Sequence, residues 1–277
     1  MPTDAPRAWQ IVLERIEGDL RDGRLVPGDR LTPERELATQ LGVGRSSVRE
    51  AIRVLEVLGV VRTATGSGPS AGAMIVTTPR GGLAAFLRLQ VAASGFPIAD
   101  VVRTRIVLEC DVAESLAGRT ADLAEVHGIL DAMDDPALAA GEFLALDARF
   151  HLALAEASGN AVVAAMMAGL RSSIESYTQL GAARMPDWDA TAHRLREEHR
   201  RIVQAVTDGD GAAARAVVTA HITDYSRQVA AAIARVDAGE PPSEEVAPVP
   251  AAGARDALAR VPAVPPGDAG AVREERP

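Results

Sequence analysis

The chain has 277 residues, 24% of them charged, and a formal net charge of −9 at pH 7, a size that allows one large or two ordinary domains. No apolar run approaches the ~20 residues that a membrane-spanning helix needs, and the N-terminus lacks the basic and apolar regions of a secretory signal. We therefore expect a cytoplasmic protein without a membrane partner, and the single cysteine, Cys110, excludes a disulfide within the chain.

The acidic charge is concentrated after the first part of the chain. Residues 1–78 carry ten arginines and ten acidic residues and are neutral, so the whole net charge of −9 arises after residue 78. Because the N-terminal part has no broad positive field, any docking on DNA would depend on a local arginine face.

The N-terminal pattern predicts helix, helix, turn, helix and β-hairpin, in that order. Apolar residues at helical spacing predict a first helix that ends at Gly23. Two amphipathic helices follow within residues 31–58 and are joined by the tight connection Gly42-Val43-Gly44. Two short apolar runs, 60–63 and 74–77, flank a loop rich in Gly, Ser and Pro and predict a hairpin. This order is typical of a winged helix-turn-helix.

The third of these helices has an arginine face and an apolar face. Arg45, Arg49 and Arg53 stand at i, i+4 and i+8, which stacks three guanidinium groups along one side. The opposite side is a stripe that we expect to be buried: Val48, Ile52, Leu55 and Leu58. Such a helix suits insertion into a DNA major groove. By spacing alone, an ordinary solvated arginine face is an equally good interpretation.

A set of short motifs distinguishes residues 8–78. They are Pro27-Gly28-Asp29-Arg30-Leu31, Glu34-Arg35-Glu36-Leu37-Ala38, Leu41-Gly42-Val43, Arg45, Val48-Arg49-Glu50-Ala51 and Leu55-Glu56. With these motifs, the segment resembles the N-terminal DNA-binding domain of GntR-family bacterial transcription regulators. The chain departs from the family pattern at Thr32-Pro33, where Pro-Ser is usual, and in a longer wing whose DNA contacts stay open.

The resemblance implies that double-stranded operator DNA is a partner. We expect a palindromic operator and a homodimer, because paired recognition helices gain specificity from the spacing of two half-sites. The resemblance implies that three arginines contact the operator and that the wing glycine approaches the minor groove. The residues expected at the DNA, including the two serines that open the recognition helix, are Arg35, Arg45, Ser46, Ser47, Arg49 and Gly66.

The rest of the chain is helical in pattern, apart from its tail. Seven helical segments are predicted near 83–94, 97–118, 120–133, 138–158, 160–180, 190–208 and 210–236. Eight of the chain's 17 prolines lie in 240–277, which predicts a disordered, Pro/Ala-rich tail. The expected fold is mainly α: a winged helix-turn-helix with a small β-hairpin wing, and an all-α antiparallel bundle of about seven helices. The predicted limits are 1–78 for the first domain, 79–82 for a linker, 83–237 for the bundle and 238–277 for the tail.

Four residues of the bundle form a candidate metal site. Asp147 and His151 stand at i, i+4 on one helix, so they share a face. His199 and His221 each lie 11 residues from the centre of the turn near residue 210, so an antiparallel hairpin places them side by side. One carboxylate and three imidazoles suit a single Zn²⁺, Ni²⁺, Mn²⁺ or Fe²⁺ per chain, with coordination positions left open. Satisfied core histidines are the alternative that the pattern leaves.

Further motifs around these four residues carry a second resemblance. They are Arg105-Ile106-Val107-Leu108-Glu109, Asp147-Ala148-Arg149-Phe150-His151, Ala157-Ser158-Gly159-Asn160, Glu198-His199 and Gly209-Asp210. Residues 83–237 resemble the helical ligand-binding FCD domain of the FadR subfamily. The resemblance implies that the Asp and three His bind a divalent metal and that its open positions receive a small carboxylate effector, assisted by Arg105. An ion pair with Glu109, four residues on, is the alternative for Arg105.

These observations favour a transcription regulator over an enzyme. We expect a DNA-binding regulator, in most such proteins a repressor, whose operator affinity responds to a small organic acid bound at the metal. One alternative is a metalloenzyme fused to a DNA-binding domain, since such a metal can activate water. No motif places a general base near the four ligands, because Glu198 and His199 point about 100° apart on a helix. A direct metal sensor is the other alternative.

Overall fold

The computed structural model describes residues 7–64, 72–76, 82–93 and 95–237. Within these residues the chain divides near residue 96 into two compact units. Three predicted features lie outside the described residues: the wing residue Gly66, positions 79–81 of the linker, and the tail 238–277. The domain limits given above therefore stay predictions.

The first unit contains the winged helix-turn-helix. Its elements are α1 (Ala8–Arg21), α2 (Glu34–Leu41), α3 (Arg45–Val57), β1 (Val61–Ala64) and β2 (Gly72–Ile75). The two strands pair antiparallel with Val61 opposite Ile75, and Arg30 forms an isolated bridge to Met74 on the outer side of β2. The predicted order of elements in this part of the chain is confirmed.

The connection between α2 and α3 depends on a glycine. Gly42 ends α2 with φ 65° and ψ 28°, the left-handed conformation that a residue without a Cβ adopts most easily. Its N–H lies within reach of the carbonyls of Ala38 and Thr39, which satisfies the end of the helix. Gly44 then enters α3 in an extended conformation. This short turn fixes the angle at which α3 leaves α2, and hence the position of the arginine face.

The apolar sides of the helices form the core of the winged helix. Val12, Val48 and Ala51 are completely buried, and β1 and β2 contribute Val61 and Ile75. Burial of each valine or isoleucine side chain contributes about 1.5–3 kcal/mol to the stability of the fold.

The prediction of a buried apolar stripe on α3 is wrong for one residue. Leu58 is 47% exposed, whereas Val48, Ile52 and Leu55 are buried. The helix α3 ends at Val57, so Leu58 lies one residue beyond it, at the C-cap and past the part of the helix that is packed on the core.

Seven helices follow in the described part of the chain. They are α4 (Gly82–Ala92), α5 (Ile98–Ala117), α6 (Ala124–Met133), α7 (Ala140–Ala157), α8 (Ala161–Ala182), α9 (Trp188–Thr207) and α10 (Gly211–Asp237). This agrees with the predicted helical pattern. The largest difference is at α6, which was expected from residue 120. The Asp122 carboxylate accepts a hydrogen bond from the Ala124 N–H at 2.9 Å, so the helix begins there instead.

Helix α5 has a central place in the second unit, since it packs against α7, α9 and α10. The turn between α9 and α10 is tight, with Gly209 at φ 76°. These four helices bring together the parts of the chain that carry the candidate metal ligands. No described helix combines the length and apolar character required to cross a bilayer.

Candidate functional site

The candidate DNA-binding residues that the structure describes lie on α2 and α3. Arg35 on α2 and Arg45, Ser46 and Arg49 on α3 are exposed, while Ser47 is half-buried. Arg45 and Ser46 open α3, the end of a recognition helix from which side chains reach base edges. Four of the six predicted residues are therefore exposed and one is half-buried, and the sixth, Gly66, lies outside the described residues.

Arg49 has an acidic partner in the protein without DNA. Its Nη2 donates to Oε2 of Glu34 on α2 at 3.0 Å, and the Arg49 side chain is 54% exposed. An exposed ion pair of this kind contributes little to stability, because water screens the two charges. Arg49 would therefore have to break only a weak ion pair with Glu34 to contact a phosphate or a guanine.

The four candidate metal ligands come from three helices. Asp147 and His151 lie on α7, one turn apart, and His199 and His221 lie on α9 and α10. All four are buried, with 0–4% of each residue exposed. One ligand atom from each residue lies within 4.8 Å of the others. The other two histidines, His127 and His193, are exposed and lie outside the cluster.

The ligand atoms that converge are Oδ1 of Asp147 and Nε2 of each histidine. From Oδ1, Nε2 of His199 is at 3.0 Å, that of His151 at 3.8 Å and that of His221 at 4.0 Å. Nε2 of His151 and of His221 are 3.2 Å apart. These separations are those of ligand atoms that share one small cation, because such ligands stand roughly 2 Å from it.

Two glutamates contact the Nδ1 atoms of two of the histidines, on the side of each ring that points away from the cluster. Nδ1 of His221 lies 2.8 Å from Oε2 of Glu198, in hydrogen-bond geometry. Nδ1 of His151 lies 2.6 Å from Oε2 of Glu109, a close contact that is not aligned as a full hydrogen bond. Carboxylates that face Nδ1 favour the tautomer with its proton there and turn the Nε2 lone pair toward the centre of the cluster, as in many metal sites.

The unpartnered atoms support the same interpretation. In the described part of the molecule, Asp147 Oδ1 and His199 Nε2 are buried and lack an aligned hydrogen-bond partner, although they are 3.0 Å apart. The two Nε2 lone pairs of His151 and His221 face each other at 3.2 Å. Buried polar atoms are seldom left in this state, and converging lone pairs repel each other unless a cation or a proton lies between them. The residues therefore fit a divalent metal.

Burial and neighbouring charge set the protonation of the cluster. Burial lowers the pKa of His199 to about 4, against the opposing effect of Asp147. Burial also lowers the pKa of His221, opposed by Glu198. For Asp147, burial alone would raise the pKa, but the contact with His199 and the other imidazoles outweighs it and holds the pKa below its usual range. At neutral pH the cluster thus offers the carboxylate of Asp147 and the neutral imidazoles of His199 and His221, the forms that bind metals.

These shifts predict how stability depends on pH without metal. His199 and His221 have lower pKa values folded than unfolded, so the unfolded chain binds more protons below pH ~6.5. The free energy of unfolding of chelator-treated protein should therefore fall from pH 6.5 toward pH 4, by up to ~1.4 kcal/mol per pH unit for each group.

Urea unfolding of the bundle measures this pH dependence. The chain has two tryptophans, so Trp9→Phe leaves Trp188 on α9 as a reporter of the second unit. His193→Ala, which removes an exposed histidine, should keep the same slope. Stability that stays constant between pH 7 and pH 5 would contradict the assignment of buried neutral histidines.

Arg105 forms the ion pair with Glu109 that the sequence had left as an alternative. Its Nε donates to Oε1 of Glu109 at 2.6 Å, with both side chains buried. Arg105 and His151 outweigh the effect of burial and lower the pKa of Glu109 to about 2. A guanidinium has further N–H donors beyond Nε. The pair with Glu109 therefore orients Arg105 beside His151 and leaves its proposed role toward a carboxylate untested.

Sequence reasoning missed three residues around the cluster. Glu109 was considered only as a partner of Arg105, and Glu198 was set aside because it points away from His199. Glu198 reaches the cluster through His221 instead. Tyr225 on α10 is 4% exposed and lies four residues after His221. The i, i+4 spacing from His221 was the signal that could have found Tyr225.

A cavity of about 430 Å³ lies between α9, the residues just before it, and α10. It is lined by Met185, Pro186, Asp187, Ala190, Thr191, Arg194, Gln228, Ala231 and Arg235. Arg194 connects this cavity to the cluster, because its Nη1 donates to Oε1 of Glu198 at 2.5 Å while Glu198 holds His221.

Comparison with known proteins identifies both parts of the chain. The FCD domain family matches residues 100–224, and the family described as bacterial regulatory proteins, gntR family, matches residues 10–69. The HTH-type transcriptional regulator LutR of Bacillus subtilis (strain 168) is 32% identical over 209 residues, which cover 74% of this chain and 93% of LutR. The chain belongs to the GntR family.

Further relatives agree with this GntR-family assignment. The HTH-type transcriptional repressor NanR of Citrobacter rodentium (strain ICC168) is 31% identical over 240 residues, which cover 81% of this chain and 86% of NanR. The structure titled Streptococcus agalactiae GntR covers 80% of this chain and 99% of its own, with a TM-score of 0.54 and 24% identity, and is similar in fold. A GntR-family protein with an FCD domain is a DNA-binding transcription regulator and not an enzyme.

Proposed function

We propose that this protein is a repressor whose operator affinity is controlled by a small organic acid bound at a divalent metal. The metal would be held by Asp147, His151, His199 and His221, and the chain would belong to the FadR subfamily of GntR regulators. One observation carries the proposal: four buried ligand atoms from three helices converge within 4.8 Å. When bound, the metal would supply a Lewis-acid centre with open positions for an anion.

The charges around the cluster favour an anionic effector. With neutral imidazoles, the charged groups at the cluster are the buried carboxylates of Glu109, Asp147 and Glu198, the buried guanidinium of Arg105, and the guanidinium of Arg194, which is one-third exposed and pairs with Glu198. That set has one negative charge in excess, and a divalent cation would change this to one positive charge in excess. A monocarboxylate would then bring this set of charges to neutrality, which limits the cost of burying charge.

Besides the metal, the group that binds the effector would be the guanidinium of Arg105. Its pair with Glu109 holds it against the same helix face that meets His151. A guanidinium matches a carboxylate through two parallel N–H donors. We therefore assign Arg105 the role of orienting the effector's carboxylate, with Glu109 as the residue that positions both Arg105 and His151.

Control of DNA binding would follow from a shift between two arrangements of the bundle. The proposed metal ligands lie on α7, α9 and α10, and Arg105 lies on α5. A bound acid would therefore favour the arrangement of these four helices that brings the metal and Arg105 to the same carboxylate. In a homodimer on a palindromic operator, a change in this arrangement of helices would alter the spacing of the two recognition helices. The DNA contacts would be made by Arg35, Arg45, Ser46, Ser47, Arg49 and Gly66.

A titration of operator binding tests the proposed function. A labelled operator fragment is titrated with the protein after chelation, after loading with Zn²⁺ or Ni²⁺, and after loading with a panel of small carboxylic acids added. We expect metal alone to have little effect on affinity and one acid to lower it at least tenfold in the loaded protein only. An acid effect that persists after chelation would contradict the metal-dependent site.

Two other functions are separated by the same titration together with an assay for turnover of the acids. A change in operator affinity with metal alone would favour a direct metal sensor. Conversion of an acid by the loaded protein would favour a metalloenzyme fused to a DNA-binding domain. Glu198 and Glu109 are the carboxylates nearest the ligands, but both face Nδ1 of a histidine, so neither stands where it would serve as a free general base.

A further inference from the structure

Tyr225 carries a hydroxyl that nothing in the described protein satisfies. The residue is 4% exposed, and its hydroxyl oxygen is buried without a hydrogen-bond partner among the described residues. A buried unsatisfied hydroxyl costs free energy, and a phenylalanine would fill the same space without that cost. A tyrosine at such a position therefore points to a partner that is not part of the protein.

Tyr225 lies on the side of α10 that also carries His221 of the metal cluster. Tyr225 follows His221 by four residues on α10, so both side chains project from one face of that helix. The charged groups that act on its hydroxyl include Asp147, Arg194 and Arg105. Burial raises the pKa of Tyr225, so the hydroxyl is neutral and can either donate or accept a hydrogen bond.

We infer that Tyr225 determines effector specificity, because its hydroxyl bonds a second polar group on the acid, next to the carboxylate. This inference rests on the proposed function, since it takes the carboxylate to lie between the metal cluster and Arg105. The effector class that it names is a 2-hydroxy or 2-oxo acid rather than a plain fatty acid. A site with a buried polar group rejects an analogue that lacks the matching group, because the buried group is then left unpaired.

Matched pairs of acids and one conservative variant test this inference. Binding of L-lactate against propanoate, and of malate against succinate, is measured by calorimetry on the full chain loaded with Zn²⁺. Because a hydroxyl can also bind metal directly, the decisive quantity is the change in preference between wild type and Tyr225→Phe. We expect Tyr225→Phe to weaken binding of the preferred hydroxy acid at least tenfold while its unsubstituted partner binds as in wild type.

Tyr177→Phe is the matched control. Tyr177 on α8 is half-buried, and its hydroxyl already donates to the carbonyl of Ser226 at 3.4 Å. This variant should keep the wild-type preference between the acids of each pair. Metal content should be the same in wild type and both variants, because neither tyrosine is a proposed ligand.

A second measurement uses no effector. Without acid, Tyr225→Phe should melt at the same temperature as wild type or higher, because the variant removes a buried unpaired hydroxyl. A melting temperature lower by several degrees would overturn the inference, since it would mean that the hydroxyl has a partner inside the protein. Acids that bind wild type and Tyr225→Phe with the same preference would also overturn it while leaving the proposed function intact. If no acid binds loaded wild type, the proposed function itself fails.

Discussion

Replacing His199 by alanine should abolish retention of metal and, with it, any response of operator binding to a carboxylic acid. His199 is completely buried, and its Nε2 lies 3.0 Å from Asp147 Oδ1, at the centre of the cluster. Loss of a residue that only orients a ligand typically costs 10–100-fold in metal affinity. Loss of a ligand should cost more, so we expect the affinity for Zn²⁺ or Ni²⁺ to fall by more than ~100-fold. Metal analysis after loading and desalting measures the effect.

Two further variants make this test specific. His193→Ala removes an exposed histidine six residues earlier on α9 and should retain wild-type metal content. Asp147→Asn keeps the size of the side chain while removing its charge, so it reports on the site even if His199→Ala folds poorly. Wild-type protein that retains no more metal than His199→Ala and Asp147→Asn, both folded, would refute the proposed metal centre.

Replacing Arg45 by alanine should weaken operator binding tenfold or more. Arg45 is the first residue of α3 and is exposed, so its guanidinium is free to reach a base edge in the major groove. A bidentate contact between arginine and guanine contributes about 1–3 kcal/mol of discrimination. A loss of that size is one to two powers of ten in affinity. Gel shift or fluorescence anisotropy with operator and scrambled DNA measures both affinity and specificity.

The control for Arg45 is an arginine outside the recognition helix. Arg21→Ala on α1 removes the same charge from a side chain that is 69% exposed and pairs with Glu17. It should change operator affinity only slightly, because surface pairs contribute little and the residue is not expected at the DNA. An Arg45→Ala protein that binds operator like wild type would disprove the assigned role, and an equal loss on operator and scrambled DNA would assign Arg45 to phosphate instead of bases.

Local periodicity explains why so much of the fold could be predicted. A helix places residues four apart on one face whatever surrounds it, so the sequence alone determined the stacked arginines of α3 and the pair Asp147 and His151. A short turn likewise constrains a helical hairpin, which is why His199 and His221 could be paired by their equal distance from residue 210. The helix ends were less certain, as Leu58 shows, because capping depends on a few local hydrogen bonds.

The sequence by itself thus determined the two-part architecture, the family, and the identity of the four residues that converge in the bundle. Only the tertiary structure decided what surrounds them. Glu109 on α5 contacts His151 on α7. Glu198 contacts His221 on α10, although the Glu198 side chain points away from its neighbour His199. The unpaired hydroxyl of Tyr225 is likewise visible only once its surroundings are known. Such contacts depend on how helices cross and which rotamers their side chains adopt, and neither is encoded in the spacing of residues along one helix.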